Sequence, residues 1–175
     1  MKRNKPRTLR LGEISSGTLN PKDLVPSYLW ELKRLRLTKP ERKAVEDVER
    51  ASEAEGYYDG NGEDGSADPV EDMVALGDIL DAHTPPFAYF GSIEGDGACI
   101  GVWPSHESID DAISEGEILR VSDRGWKCGD EENDTQYNHC HKIPEGLGWR
   151  YRLVINDHGN MTLYTRNGRE VWGVV

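Results

Sequence analysis

Residues 151–175 read Tyr-Arg-Leu-Val-Ile-Asn-Asp-His-Gly-Asn-Met-Thr-Leu-Tyr-Thr-Arg-Asn-Gly-Arg-Glu-Val-Trp-Gly-Val-Val. Their pattern decides the fold. Residues 151–155, 162–165 and 170–175 are short runs of β-branched, aromatic and aliphatic residues of strand type. Asp157-His158-Gly159-Asn160 and Asn167-Gly168 separate them, and these residue types adopt turn conformations at little cost. An Asn-Gly pair between such runs is the strongest short-range hairpin signal. The stretch therefore predicts three antiparallel strands joined by hairpins.

Working upstream, residues 87–91 and 98–103 also read as paired strands, with Gly95-Asp96-Gly97 in their connection. Between these and the C-terminal strands, Ser105 or His106 opens a short helix through Ile109, Ala112 and Ile113, and residues 117–121 are a further strand candidate. Residues 123–148 are polar and irregular. Further back the apolar period changes from about 2 to about 3.6, the change from strand to helix.

Three helices are predicted there. The first is capped by Asn20 with Pro21 at its first position, and Leu24, Val25, Tyr28, Leu29, Leu32 and Leu35 form its buried face. Pro26 is expected to fall early enough for its missing N–H to cost little. The second follows Thr38 and Pro40, buries Ala44, Val45, Val48 and Ala51, and runs out at Gly56. In the third, Asp68, Pro69 and Glu71 read as N-cap, first helical residue and capping-box acid. Val70, Met73, Val74, Gly77 and Leu80 are its expected core face, and it stops near Ala82.

The expected class is α+β: N-terminal helices packed on a C-terminal antiparallel β-sheet, a meander with hairpins. A basic flexible arm (1–19) precedes a single domain (20–175), with helices in 20–82, mainly strands in 86–175, and an acidic loop at 57–68. The chain has 175 residues, 36% hydrophobic and 30% charged, with five Trp and seven Tyr. That is enough chain, and enough aromatic area, for one real core. Three irregularly spaced cysteines, Cys99, Cys128 and Cys140, do not resemble a disulfide framework, which points to a reducing compartment. No apolar run approaches the ~20 residues that span a bilayer, and the basic start of the chain is not followed by a hydrophobic segment.

Charge is sharply segregated. Residues 1–50 hold 13 Lys and Arg against 7 Asp and Glu. From 51 to 119 there are 17 acids and not one Lys or Arg, and from 120 to 175 there are 8 of each sign. Such a middle third repels nucleic acid and anionic membranes and attracts basic protein surfaces. The acids that would form the binding surface are Asp59, Glu63, Asp64 and Asp68 in the loop, Glu71, Asp72, Asp78 and Asp81 on the third helix, and Glu107, Asp110, Asp111 and Glu115 on the short helix.

Other chemistry is weaker. An EF-hand loop needs oxygen ligands at fixed positions around a central glycine. Asp59, Asn61, Asp64, Asp68 and Glu71 meet that pattern only with one inserted residue, so calcium is the alternative reading. Cys128, His139, Cys140 and His141 lack the separated pairs of a structural zinc site. The glycines of residues 91–97 come without the lysine of a phosphate-binding loop, and Glu94 and Asp96 would repel a phosphate. Asp157-His158 lies in a turn where Asp is selected for backbone reasons. No catalytic signature appears, and no cofactor is implied.

Two segments nevertheless look familiar. Pro85-Pro86-Phe87-Ala88-Tyr89-Phe90-Gly91 runs into Gly95-Asp96-Gly97 and Gly101-Val102-Trp103-Pro104, and Asn156-Asp157-His158-Gly159-Asn160 precedes Glu170-Val171-Trp172. Together with Gly12-Glu13-Ile14-Ser15-Ser16-Gly17-Thr18, they resemble small accessory proteins of tailed bacteriophages and prophages, a group without an established activity. The resemblance implies a setting, the host cytoplasm, and carries over no functional residues. The expectation is a non-enzymatic accessory protein. Its acidic surface would bind and inhibit a basic, nucleic-acid-binding host protein or defence complex by standing in for nucleic acid.

Overall fold

The computed structural model describes residues 6–59, 68–122, 149–156, 158 and 160–173. The chain is α+β and divides into two compact units, Met1–Trp103 and Pro104–Val175, where the sequence suggested one body.

In the first unit the elements run β1 (Gly12–Ser15), α1 (Pro21–Arg34), α2 (Lys39–Ser52), a 3₁₀ turn (Tyr57–Asp59), α3 (Pro69–Ala82), β2 (Ala88–Ile93) and β3 (Asp96–Pro104). The strands form a sheet in the order β1-β3-β2. The two-residue link Glu94-Gly95 joins β2 to β3, and Gly95 takes a φ of +87° that glycine adopts without strain. Buried Leu24, Val25, Tyr28, Leu29 and Leu32 of α1 meet Leu76 and Leu80 of α3, Val45 and Val48 of α2, and Ile100 and Val102 of β3. Tyr28 meets Phe90 edge-to-face at 5.2 Å, an arrangement favoured by the ring quadrupoles.

Helix boundaries follow local chemistry. The Asn20 side chain accepts from Lys22 N, and Asp68 accepts from Val70 N at 2.8 Å. The capping box belongs to α2 rather than α3: Thr38 Oγ1 accepts from Glu41 N, and Glu41 Oε2 accepts from Thr38 N at 2.7 Å. Pro26 lies inside α1, past the first turn, where it removes one ladder bond. Ser27 Oγ donates to Asp23 O one turn back, at 3.0 Å.

The reading of residues 1–19 as an arm needs correction from residue 6 onward. Gly12–Ser15 is a strand, Leu9 is buried, and Leu9 N donates to His83 O at 2.8 Å. His83 Nδ1 also lies 2.7 Å from Arg7 O, and its Nε2 lies 3.3 Å from Glu41 Oε2. A basic, Ser/Gly-rich composition reads as tail, yet a few apolar residues and main-chain pairing are enough to fasten it.

Glu41 gives a pH prediction. The hydrogen bond from Thr38 N, followed by the Thr38 hydroxyl and the nearby His83 ring, holds its carboxyl below the ordinary value of 4.5. A lowered folded-state value means that its contribution to stability is complete above that ordinary value and is lost as pH falls through the folded one. Glu41→Gln is expected to flatten this acid limb, as measured by urea midpoints over an acidic pH series.

The second unit holds α4 (His106–Ser114), β4 (Ile118–Ser122), β5 (Tyr151–Ile155), β6 (Met161–Thr165) and β7 (Glu170–Gly173), with strand order β4-β5-β6-β7. Leu153, Leu163 and Trp172 face one another across β5, β6 and β7 and are all buried. Both C-terminal hairpins are antiparallel, whereas β4 pairs with β5 in parallel, Ile118 opposite Tyr151. The sheet is therefore mixed, which corrects the expectation of an antiparallel meander throughout. Parallel neighbours need a crossover of a dozen or more residues, and the chain between Ser122 and Trp149 has that length.

The Asn167-Gly168 signal produces a hairpin of a different type. Gly168 N donates to Thr165 O at 2.9 Å, Thr165 N donates to Arg169 O at 2.8 Å, and Gly168 takes a φ of +80°. This is a three-residue loop ending in a left-handed glycine.

Candidate functional site

The acids of α3 divide by role. Asp68 caps its own helix. Asp72 is half-buried and accepts the Tyr57 hydroxyl at 2.8 Å, and Asp81 Oδ1 accepts Phe90 N at 3.3 Å. These three carboxylates fasten the 3₁₀ turn, α3 and β2, so their charge serves the first unit itself. Burial and the Asp72 carboxylate push the Tyr57 hydroxyl well above the usual phenol range, which keeps it protonated as the donor. Tyr57→Phe leaves Asp72 without that donor and is expected to cost ~1 kcal/mol, readable as a lower denaturant midpoint. Glu71 and Asp78 are exposed, and their side chains make no hydrogen bond or ion pair to any described residue.

The acids of α4 are uniform. Ser105 caps the helix by accepting from Ser108 N, and Ile109 and Ala112 are buried. This rotation turns Glu107, Asp110 and Asp111 outward at the three- and four-residue spacing of one helical face, and Glu115 follows at the C-cap. All four side chains are exposed and make no hydrogen bond or ion pair to any described residue. Neighbours at that spacing lie ~5–6 Å apart at Cβ, so their negative charges reinforce one another.

Position along the helix matters as well. Carboxylates near an N-terminus are favoured by the helix dipole, and those near a C-terminus are disfavoured. Glu71 and Asp72 lie in the first turn of α3, and Glu107 in the first turn of α4. Asp81 occupies the last turn of α3, while Asp111 and Glu115 close α4, and neither last turn carries a base. Each misplaced acid costs ~0.3–1 kcal/mol at low salt. Helix stability does not account for them.

The twelve acids are thus distributed rather than gathered. Those from Asp68 to Asp81 belong to the first unit and those from Glu107 to Glu115 to the second. Asn61, Glu63 and Asp64 lie outside the described residues, as does the Asp59 side chain, so the calcium reading falls largely there. Cys128, His139, Cys140, His141 and Asp157 are also outside them. Among the described residues no group of three or more His, Cys, Asp or Glu is placed to hold a metal ion.

The remaining chemical candidates have structural roles. Asn156 Oδ1 accepts from His158 N and Asn160 N, both at 2.9 Å, and this shapes the turn around His158. Partial burial and the Glu13 and Asp96 carboxylates push the Cys99 thiol up, the opposite of what a nucleophilic thiolate needs. Among the described residues no helix is long and apolar enough to cross a membrane.

One feature lay outside the sequence reading. Trp30 falls on α1 between the core positions, and it is 60% exposed. It lines an open groove of about 420 Å³ with Pro26, Ser27 and Glu31 of α1 and with Glu13 and Ile14 of β1. The available signal was a tryptophan out of phase with the apolar stripe. No family model matches the chain, and no curated protein or solved structure matches it either.

Proposed function

We propose that this protein is a non-enzymatic binding protein whose acidic helix surfaces occupy the basic, nucleic-acid-binding face of another protein and block it. The observation that supports this most directly is the outer face of α4. Glu107, Asp110, Asp111 and Glu115 are exposed and uncompensated by any described base, and two of them oppose the helix dipole. Acids that cost the helix stability and serve no internal bond are explained by a ligand that neutralises them. Exposed Glu71 and Asp78 on α3 extend the same chemistry to the first unit. The resemblance to phage accessory proteins supports a bacterial host protein as that partner.

The reading is tested with the quadruple variant Glu107→Gln, Asp110→Asn, Asp111→Asn and Glu115→Gln beside the wild type. Each protein is immobilised in bacterial lysate at low salt and eluted by a salt gradient. The wild type is expected to retain nucleic-acid-binding proteins, to release them steeply as salt rises, and to compete for them with short duplex DNA. The variant is expected to lose them while melting no lower than the wild type, because the dipole conflict has been removed. Equal retention by both proteins, or retention indifferent to salt, sinks the proposal.

A further inference from the structure

The groove between α1 and β1 combines three features that the acidic helices lack. The first is an open sheet edge. With strand order β1-β3-β2, β1 pairs with β3 alone among the described strands, so its outer edge offers main-chain donors and acceptors. Edges of this kind accept an added strand from another chain. The second is a bulge at the groove. Gly12 opposes Val102, Glu13 opposes Gly101 and Ser15 opposes Ile100, which leaves Ile14 as the extra residue. Bulges re-aim side chains, and Ile14 packs partly on the core while lining the groove.

The third feature is an aromatic–acidic lining. Trp30 remains 60% exposed even with the Arg34 guanidinium 4.4 Å from its ring centroid. That contact fills a cation–π position of the indole with the chain's own guanidinium and leaves the exposed remainder of the ring as an apolar surface. Glu31 is partly neutralised by Arg34 at 3.2 Å. Among the described residues Glu13 has neutral donors only, the Ser16 hydroxyl at 2.6 Å and the Cys99 thiol at 3.7 Å, and no cationic partner. This acid pair lies in the part of the chain where bases outnumber acids, 13 to 7 over residues 1–50, so it is not a by-product of the acidic middle third.

We infer that this groove binds an extended, Lys- or Arg-bearing segment of a partner protein as an added strand on β1. Main-chain pairing to β1 holds the segment, and its alternate side chains point toward α1. One cationic side chain meets the Glu13 carboxylate on the sheet face that Glu13 shares with Cys99, and a neighbouring apolar one, on the α1 side, rests on Trp30, Ile14 and Pro26. The site is built from residues of the first unit alone and does not depend on the function proposed for the acids of α4.

The probe is a pool of capped hexapeptides with Lys or Arg at alternate positions and any residue between. Retained peptides are then titrated into the labelled full-length protein while backbone amide shifts are followed. Shifts are expected to concentrate on Gly12–Ser15 and on the Pro26 to Glu31 face. Trp30→Ala should weaken binding by about tenfold or more, as for a buried aromatic anchor, with an unchanged circular dichroism spectrum. N-methylation of alternate peptide amides and replacement of the bases by Glu should each abolish binding. The quadruple α4 variant should bind the same peptides within about twofold. The inference is overturned if no peptide is retained, if N-methylation or Trp30→Ala has no effect, or if neutralising α4 removes the binding.

Discussion

Gly101→Ala is expected to release β1 from its sheet. A Cβ built at Gly101 lies 2.4 Å from Gly12 O, 2.7 Å from Trp103 Cζ2 and 3.0 Å from Glu13 Cα. Two of these three atoms are backbone of the neighbouring strand, so a side-chain rotation cannot relieve the clash. The strand itself must withdraw. Forcing a methyl group into such a contact costs ~1–3 kcal/mol, a large share of the ~5–15 kcal/mol that stabilises an ordinary domain. Gly97 lies in the same strand with nothing within 4 Å of its Cβ, so Gly97→Ala supplies the control. Hydrogen exchange should show fast amides in Gly12–Ser15 for the first variant and wild-type protection for the second. If the groove beside β1 binds as inferred, Gly101→Ala also abolishes peptide binding, whereas Gly97→Ala preserves it.

Leu76→Ala is expected to destabilise the first unit by ~2–5 kcal/mol, the range for emptying a closed core position, while Val74→Ala changes stability by less than ~0.5 kcal/mol. The contrast follows from burial: Leu76 is fully buried and Val74 is 54% exposed. It also separates two readings of α3. The sequence reading placed Val70, Met73, Val74, Gly77 and Leu80 inside, whereas the structure buries Leu76 and Leu80 and leaves Val70 and Val74 exposed. Urea titrations of the two variants decide between them, since the sequence reading requires the opposite order of losses. The exposed valines stand beside Glu71 and Asp78 and would give a basic partner an apolar contact within the acidic surface.

The reason for that miss is geometric. Apolar residues at 70, 73, 74, 76, 79 and 80 surround most of α3, so a period of 3.6 fits more than one face. α1 has one narrow stripe, and each position assigned to its core from Leu24 to Leu35 is buried. Capping behaved in the same local way. Asn20, Thr38, Asp68 and Ser105 each cap the helix they precede, since such a bond needs only residues two or three apart. Glu71 showed the limit, because the spacing of a capping box was present without its reciprocal bond.

The acids were legible as a count and partly illegible as a site. Composition alone gives 17 carboxylates without a base between residues 51 and 119. It does not separate Asp72 and Asp81, drawn into bonds with Tyr57 and Phe90, from Asp110 and Asp111, which face outward. That distinction depends on which atoms come within 3.3 Å through packing.

By itself the sequence determined what depends on near neighbours: the helix and strand periods, the caps, the C-terminal hairpins and the segregation of charge. Tertiary structure alone decided the burial side of α3, the parallel pairing of β4 with β5, the capture of residues 9–15 as part of a unit, and the groove that α1 and β1 line together. Each of these joins residues far apart in the chain, and local propensity carries no information about which distant surface a strand edge or an apolar stripe will meet.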